Sequence, residues 1–164
     1  MGIKVNQETL QMIADLSNAR GASGFEDETV QAAAKHIGEG YTTEEDCLRN
    51  FYMYRTANSG NKPVFMLDAH SDEVGFMVHS IRPNGTLRFV ALGGWNVGSL
   101  ASSKVLVRNS EGKYLPGVIA AKPVHFMSAS EKASAGAADI SSLSIDIGAV
   151  SGIGGAQRFP QNGW

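Results

Sequence analysis

Val64-Phe65-Met66-Leu67 is an unbroken apolar run, with none of the polar alternation of a half-exposed strand. Successive side chains of a strand point to opposite faces, so such a run asks for cover on both sides. It therefore predicts a strand buried on both faces of an α/β sheet. The cover is available upstream. Asn6 can cap a helix that runs to about Asn18, with Leu10, Ile13, Ala14 and Ser17 on one face and Glu8 in its first turn. Gly21-Ala22-Ser23-Gly24 breaks that pattern. Ser23 and Glu26 then have the spacing of a capping box, which opens a second helix with Val30, Ala33, Ala34 and Ile37 inward and a stop at Gly38-Glu39-Gly40.

From about Thr42 the helical period disappears. Phe51-Tyr52-Met53-Tyr54 reads as β, and Asn58-Ser59-Gly60-Asn61 as a turn. Beyond the apolar run, residues 76–81 and 87–92 flank Pro83-Asn84-Gly85 and predict a hairpin. Residues 104–108 and 114–121 flank a turn at 109–112 and predict a second, and 143–147 predicts a last strand. Short strands with frequent turns suggest a small barrel or sandwich. The Ala- and Ser-rich stretch 128–142 is either a short helix or a mobile loop, and 151–164 has neither period and reads as a tail.

Charge narrows the function classes. With 14 Lys and Arg against 16 Asp and Glu, the net charge is −2 and no basic patch stands out, so nucleic acid and anionic membrane are not expected partners. No apolar run approaches the ~20 residues that span a bilayer. The amino terminus turns polar at once and shows no secretory signal. The single cysteine, Cys47, excludes an internal disulfide framework, and together these features point to a cytoplasmic protein.

The best chemical candidate is His70-Ser71-Asp72, which follows the apolar run. Ligands of α/β sheets bind beyond the carboxyl ends of strands. Residues two apart share a side, so His70 and Asp72 can converge. A neutral imidazole suits zinc or cobalt, and a carboxylate on its other nitrogen fixes the tautomer. Asp72 either plays that orienting part or binds metal itself. The bland alternative is a capped strand end with a satisfied histidine. His36 sits near a helix end, His79 alternates along a strand and should be exposed, and His125 follows Pro123 at a strand end. Cys47 lies among Glu44, Glu45 and Asp46, and that negative charge disfavours a nucleophilic thiolate. Gly93-Gly94-Trp95 is a backbone-demanding turn and not a phosphate loop.

At these residues a family resemblance emerges. Ser23-Gly24-Phe25-Glu26, Asp68-Ala69-His70-Ser71-Asp72-Glu73-Val74-Gly75-Phe76-Met77-Val78 and Leu92-Gly93-Gly94-Trp95 occur in order. They are followed by Gly117-Val118-Ile119-Ala120, Lys122-Pro123-Val124-His125 and Ile145-Asp146-Ile147-Gly148-Ala149. Over about residues 5–150 the series resembles the glutamyl aminopeptidase family, which includes tetrahedral aminopeptidases and proteins once labelled endoglucanases. The resemblance implies an α/β fold. Residues 1–72 would be the first segment of a catalytic α/β domain, incomplete on its own, and 73–150 a β-barrel insert used for dimerisation. Residues 151–164 would be an atypical tail from a shifted reading frame, from the way the chain was made, or from a genuine short product. It implies a metal-dependent aminopeptidase acting on peptide substrates, with two divalent metal ions, zinc or cobalt, that activate a water. His70 matches a metal ligand and Asp72 the acid that orients it. The other ligands and the glutamate base of the family would come from sequence that this chain lacks, so it is expected to be inactive by itself, to bind metal weakly or not at all, and to form homo-oligomers through the barrel.

Two other readings stand beside this one. The chain could serve only as an oligomerisation or interaction module. A glycoside hydrolase needs two carboxyl groups across a sugar bond, and Asp68, Asp72 and Glu73 are better explained as support for a metal site.

Overall fold

The structure, a computed structural model, describes residues 5–150 apart from 59, 62 and 134–138. The tail expected at 151–164 lies outside the described residues. The chain is mixed α/β and divides into two compact units, Met1–Glu73 and Val74–Trp164.

In the first unit, α1 spans Gln7–Asn18, and the Asn6 side chain accepts from the Thr9 N–H at 2.7 Å. That bond satisfies one of the donors that every helix start leaves free. Helix α2 covers Asp27–Lys35. The expected capping box does not form. Glu26 occupies the cap position without a side-chain cap bond, and its carboxylate accepts from Gly24 N–H at 2.8 Å. The Ser23 hydroxyl has a stronger partner, the Asp72 carboxylate, because a hydrogen bond to a charged acceptor outweighs one to a backbone N–H. The helix also stops at Lys35, ahead of the expected glycine stop, and it buries Val30 and Ala32 while Ala34 stays exposed. His36 at its C-cap brings Nε2 to 2.9 Å from Asp15 Oδ2 and so ties α2 to α1. Strands β1 (Tyr41–Glu45) and β2 (Phe51–Arg55) form an antiparallel pair with Tyr41 opposite Arg55. The Asp46 carboxylate closes their turn by accepting from Leu48 N–H, Asn50 N–H and the Asn50 amide. These bonds, led by the Asn50 amide, hold its pKa below the usual carboxylate range.

The apolar run is the largest departure from expectation. Val64, Phe65, Met66 and Leu67 form no strand and are 75%, 87%, 78% and 87% exposed. A strand exists only through ladder bonds to neighbours, and the segment has no β partner among the described residues. Without neighbours there is nothing to bury either face. The apolar face of α1 is left in the same condition, with Leu10 and Ile13 half exposed and no buried residue in the helix.

The second unit buries its core properly. Strands β3 (Gly75–Ile81) and β4 (Leu87–Leu92) form the first expected hairpin, and β5 (Lys104–Arg108) and β6 (Tyr114–Ala120) the second. Gly85, with φ +86°, supplies the turn conformation between β3 and β4, which costs a residue with a Cβ dearly. Strand β7 (Ser144–Asp146) lies between the hairpins, so the order is β3-β4-β7-β6-β5, antiparallel throughout. Among the described residues β3 and β5 do not pair, and the sheet is an open, curled half-barrel. A closed barrel, one of the two forms expected, is thus not reached. Leu143, Ile145 and Ile147 alternate inward and meet Leu87, Phe89, Leu100, Val107 and Ile119 in one core. Phe76 stacks on Trp95 at 4.7 Å and meets the Phe89 edge at 4.9 Å, while Trp95 Nε1–H donates to Gly75 O at 3.0 Å. The stretch expected to be helix or loop begins with a short helix, α3, at Ala129–Ala133.

Gly117 lets β7 come close. A Cβ there would lie 3.0 Å from Ile145 Cγ2 and 3.1 Å from Asp146 O. Ile145→Ala is expected to destabilise the second unit by about 2–5 kcal/mol, and Gly117→Ala by about 1–3 kcal/mol through overpacking. Urea unfolding followed by Trp95 fluorescence checks both, and an unchanged midpoint for either would show that β7 does not join the hairpins.

Candidate functional site

His70 and Asp72 were expected at the carboxyl end of a buried strand. They lie instead on a segment without regular secondary structure, 68–72, anchored through Glu73 to the loop between α1 and α2. Ala22 and Glu73 form a parallel β-bridge. Glu73 N–H donates to Gly21 O at 2.7 Å, and Gly21 N–H returns a bond to Glu73 Oε1 at 3.1 Å. The loop itself is shaped by a turn in which Phe25 N–H donates to Ala22 O at 2.8 Å and Gly24 has φ +87°. A residue with a Cβ rarely tolerates that φ.

This anchoring brings the two candidate side chains together. His70 Nδ1 is 2.9 Å from Asp72 O and 3.1 Å from Asp72 Oδ1. Asp72 Oδ2 accepts from the Ser23 hydroxyl. The Ser23 bond, with help from the His70 ring, holds the Asp72 pKa below the usual carboxylate range against the opposing effect of burial. The His70 side chain is 85% exposed and that of Asp72 40%, so the ring owes its orientation to hydrogen bonds and not to packing.

The other candidates lie apart. His36 is paired with Asp15 at the end of α2. His79 is exposed, as its alternation in β3 predicts, where the register shifts between Val78 and Ser80. His125 is exposed in a 3-10 turn at Val124–Phe126. Cys47 is an exposed free thiol in the β1–β2 turn. Among the described residues no three His, Cys, Asp or Glu side chains gather in a way that could hold a metal ion. Also among the described residues, no helix is long and apolar enough to cross a membrane.

Ser23 was missed as a partner of Asp72. Its motif was visible, but a hydroxyl four positions before a helix offers a local cap as readily as a bond 49 residues away.

The model of the M42 glutamyl aminopeptidase family matches residues 50–153. The chain belongs to that family. The glutamyl aminopeptidase of Lactococcus lactis is 34% identical over 121 residues, covering 73% of this chain and 34% of the relative. A TET aminopeptidase from a marine sediment Thaumarchaeota archaeon superposes with a TM-score of 0.82 at 29% identity, over 93% of this chain and 41% of that one. A TET1 peptidase of Pyrococcus horikoshii, described as assembling into a tetrahedron or a large octahedral shell, gives 0.70 at 25% identity over 90% and 43%. The chain therefore spans between a third and a half of the length of these family members.

Gly21 tests the anchoring. A Cβ there would collide with Thr29 Oγ1, which can rotate, and lie 3.1 Å from Ser71 O, which cannot. Gly21→Ala is expected to loosen residues 70–73 and to speed hydrogen exchange of the Glu73 amide about tenfold or more, from about 1–3 kcal/mol of overpacking. Exchange read by NMR, with the Ile145 amide as internal control, checks this, and an unaltered Glu73 rate would contradict the anchoring.

Proposed function

We propose that this chain carries part of a metal-dependent aminopeptidase site, with His70 as a metal ligand and Asp72 as the acid that orients it. Residues 1–72 act as a first segment of the catalytic domain and 73–150 as a dimerisation domain. Family membership supports the reaction class, and the division of the chain after Glu73 is compatible with the two parts. The observation that carries the site is the hydrogen bonding of the His70 ring. Nδ1 faces two acceptors, Asp72 O and Oδ1, and so bears the proton. Nε2 then keeps its lone pair, and no partner occupies it among the described residues. That arrangement suits a divalent zinc or cobalt ion, though it supplies a single imidazole where catalytic sites usually have three protein ligands. Bound in a complete site, such an ion would polarise the substrate carbonyl and lower the pKa of a water. His70 would hold it, Asp72 would fix the ring, and Ser23 and Glu73 would fix the segment.

Cobalt binding read by visible absorption tests this reading. One weak site is expected, in the micromolar range or weaker, abolished by His70→Ala and retained in His36→Ala, His79→Ala and His125→Ala. Aminoacyl-nitroanilide hydrolysis is expected to stay at background. Binding indifferent to His70→Ala would overturn the assignment, and turnover like that of full-length relatives would overturn the incompleteness.

A second reading, an association module, is favoured by the exposed apolar segment at 64–67 and by the open edges β3 and β5. A two-fold dimer is its simplest form. Light scattering is expected to give a dimer or larger, reduced by charges placed on β3 or β5, and a clean 17.4 kDa monomer would refute it.

A further inference from the structure

We infer that Ser23 is a positioning residue for His70, acting through Asp72 to select which ring nitrogen is free to take a ligand. The inference rests on the proposed role of His70 and deepens it.

The chain of hydrogen bonds runs one way. The Ser23 hydroxyl donates to Asp72 Oδ2. The same carboxylate presents its other oxygen, Oδ1, to His70 Nδ1 at 3.1 Å, and the Asp72 carbonyl lies 2.9 Å from that nitrogen. Both atoms facing Nδ1 are acceptors, so the proton sits there and Nε2 presents a lone pair. The Gly21–Glu73 bonds fix the backbone of the segment and with it the Asp72 carbonyl, but they leave the Asp72 carboxylate to be braced by side chains alone. The ring is 85% exposed, and the Asp72 side chain, 40% exposed, has no hydrogen-bonding side chain besides Ser23 and His70 among the described residues. A carboxylate bound through one oxygen to an exposed imidazole is free to rotate and to take water in its place. A second bond on the opposite oxygen removes that rotation. Ser23 is itself held, because it stands at the corner of the Ala22-to-Phe25 turn that Gly24 makes possible. The loop before α2 therefore sets the chemistry of a histidine 47 positions along the chain.

The deciding readout, the tautomer, needs neither activity nor metal. At alkaline pH, where an imidazole is neutral, long-range nitrogen–proton NMR of the 164-residue chain separates the two tautomers. Wild type is expected to show His70 protonated at Nδ1. In Ser23→Ala the two ring-nitrogen shifts should converge or exchange order, while the amide signals of α2 and of Glu73 stay in place. Ser23→Thr, which keeps the hydroxyl, should restore the wild-type pattern. His70-dependent cobalt affinity should fall about tenfold in Ser23→Ala, the lower end of what lost orienting partners cost metal sites. Ring shifts unchanged in Ser23→Ala, or changed shifts that Ser23→Thr does not restore, would overturn the inference. Failure of the aminopeptidase reading is distinguishable, since it shows as cobalt binding indifferent to His70, whereas the tautomer is read without metal.

Discussion

Glu73 holds Gly21 from two directions, with its backbone N–H on the Gly21 carbonyl and its carboxylate on the Gly21 N–H. What is ordered around His70 depends on that clasp. Upstream, 64–67 has no ladder among the described residues, so within them the segment is located from its carboxyl end. Each such bond contributes about 0.5–1.5 kcal/mol net. Two of them and the Ser23 bond suffice to orient a side chain, but not to make the segment as persistent as a core strand. The candidate site is thus defined by a few polar contacts, in contrast to the second unit, where eight buried apolar residues define the sheet.

That contrast bears on family membership. In the second unit the sequence signals and the structure agree, and the family model spans all of its described part, together with residues 50–73 of the first unit. The first unit contributes the residues with chemistry, yet it leaves one helix face and one apolar run uncovered. A side chain as exposed as His70 can bind weakly or be completed by other groups. It cannot by its own surroundings supply the dry, preorganised setting in which electrostatic catalysis is strong.

Much was legible where the determinants are local. Asn6 announced α1, Pro83-Asn84-Gly85 the first hairpin, and the Asn109-to-Gly112 turn the second, because caps and turns are made by residues within a few positions of each other. His70 and Asp72 do converge, but through a local contact two residues apart and not at the strand end that was expected. The rest depends on distant partners. Val64-Phe65-Met66-Leu67 has the composition of a buried strand, but composition cannot state whether neighbours are present to pair with it. Ser23 had two possible partners, and the choice between Glu26 and Asp72 was decided by a segment 49 residues away.

The position of β7 has a kinetic consequence. It is the last strand among the described residues and the middle strand of the sheet, contacting β4 on one side and β6 on the other. During synthesis the two hairpins can each form as they emerge, but neither has a partner for its inner edge until Ile145 has left the ribosome. Leu87 waits 58 positions for the residue that covers it. Synthesis of that stretch takes seconds at about 5–20 residues per second, and contacts so distant in sequence form late. Until they do, the apolar faces of both hairpins remain open to chaperones and to other nascent chains.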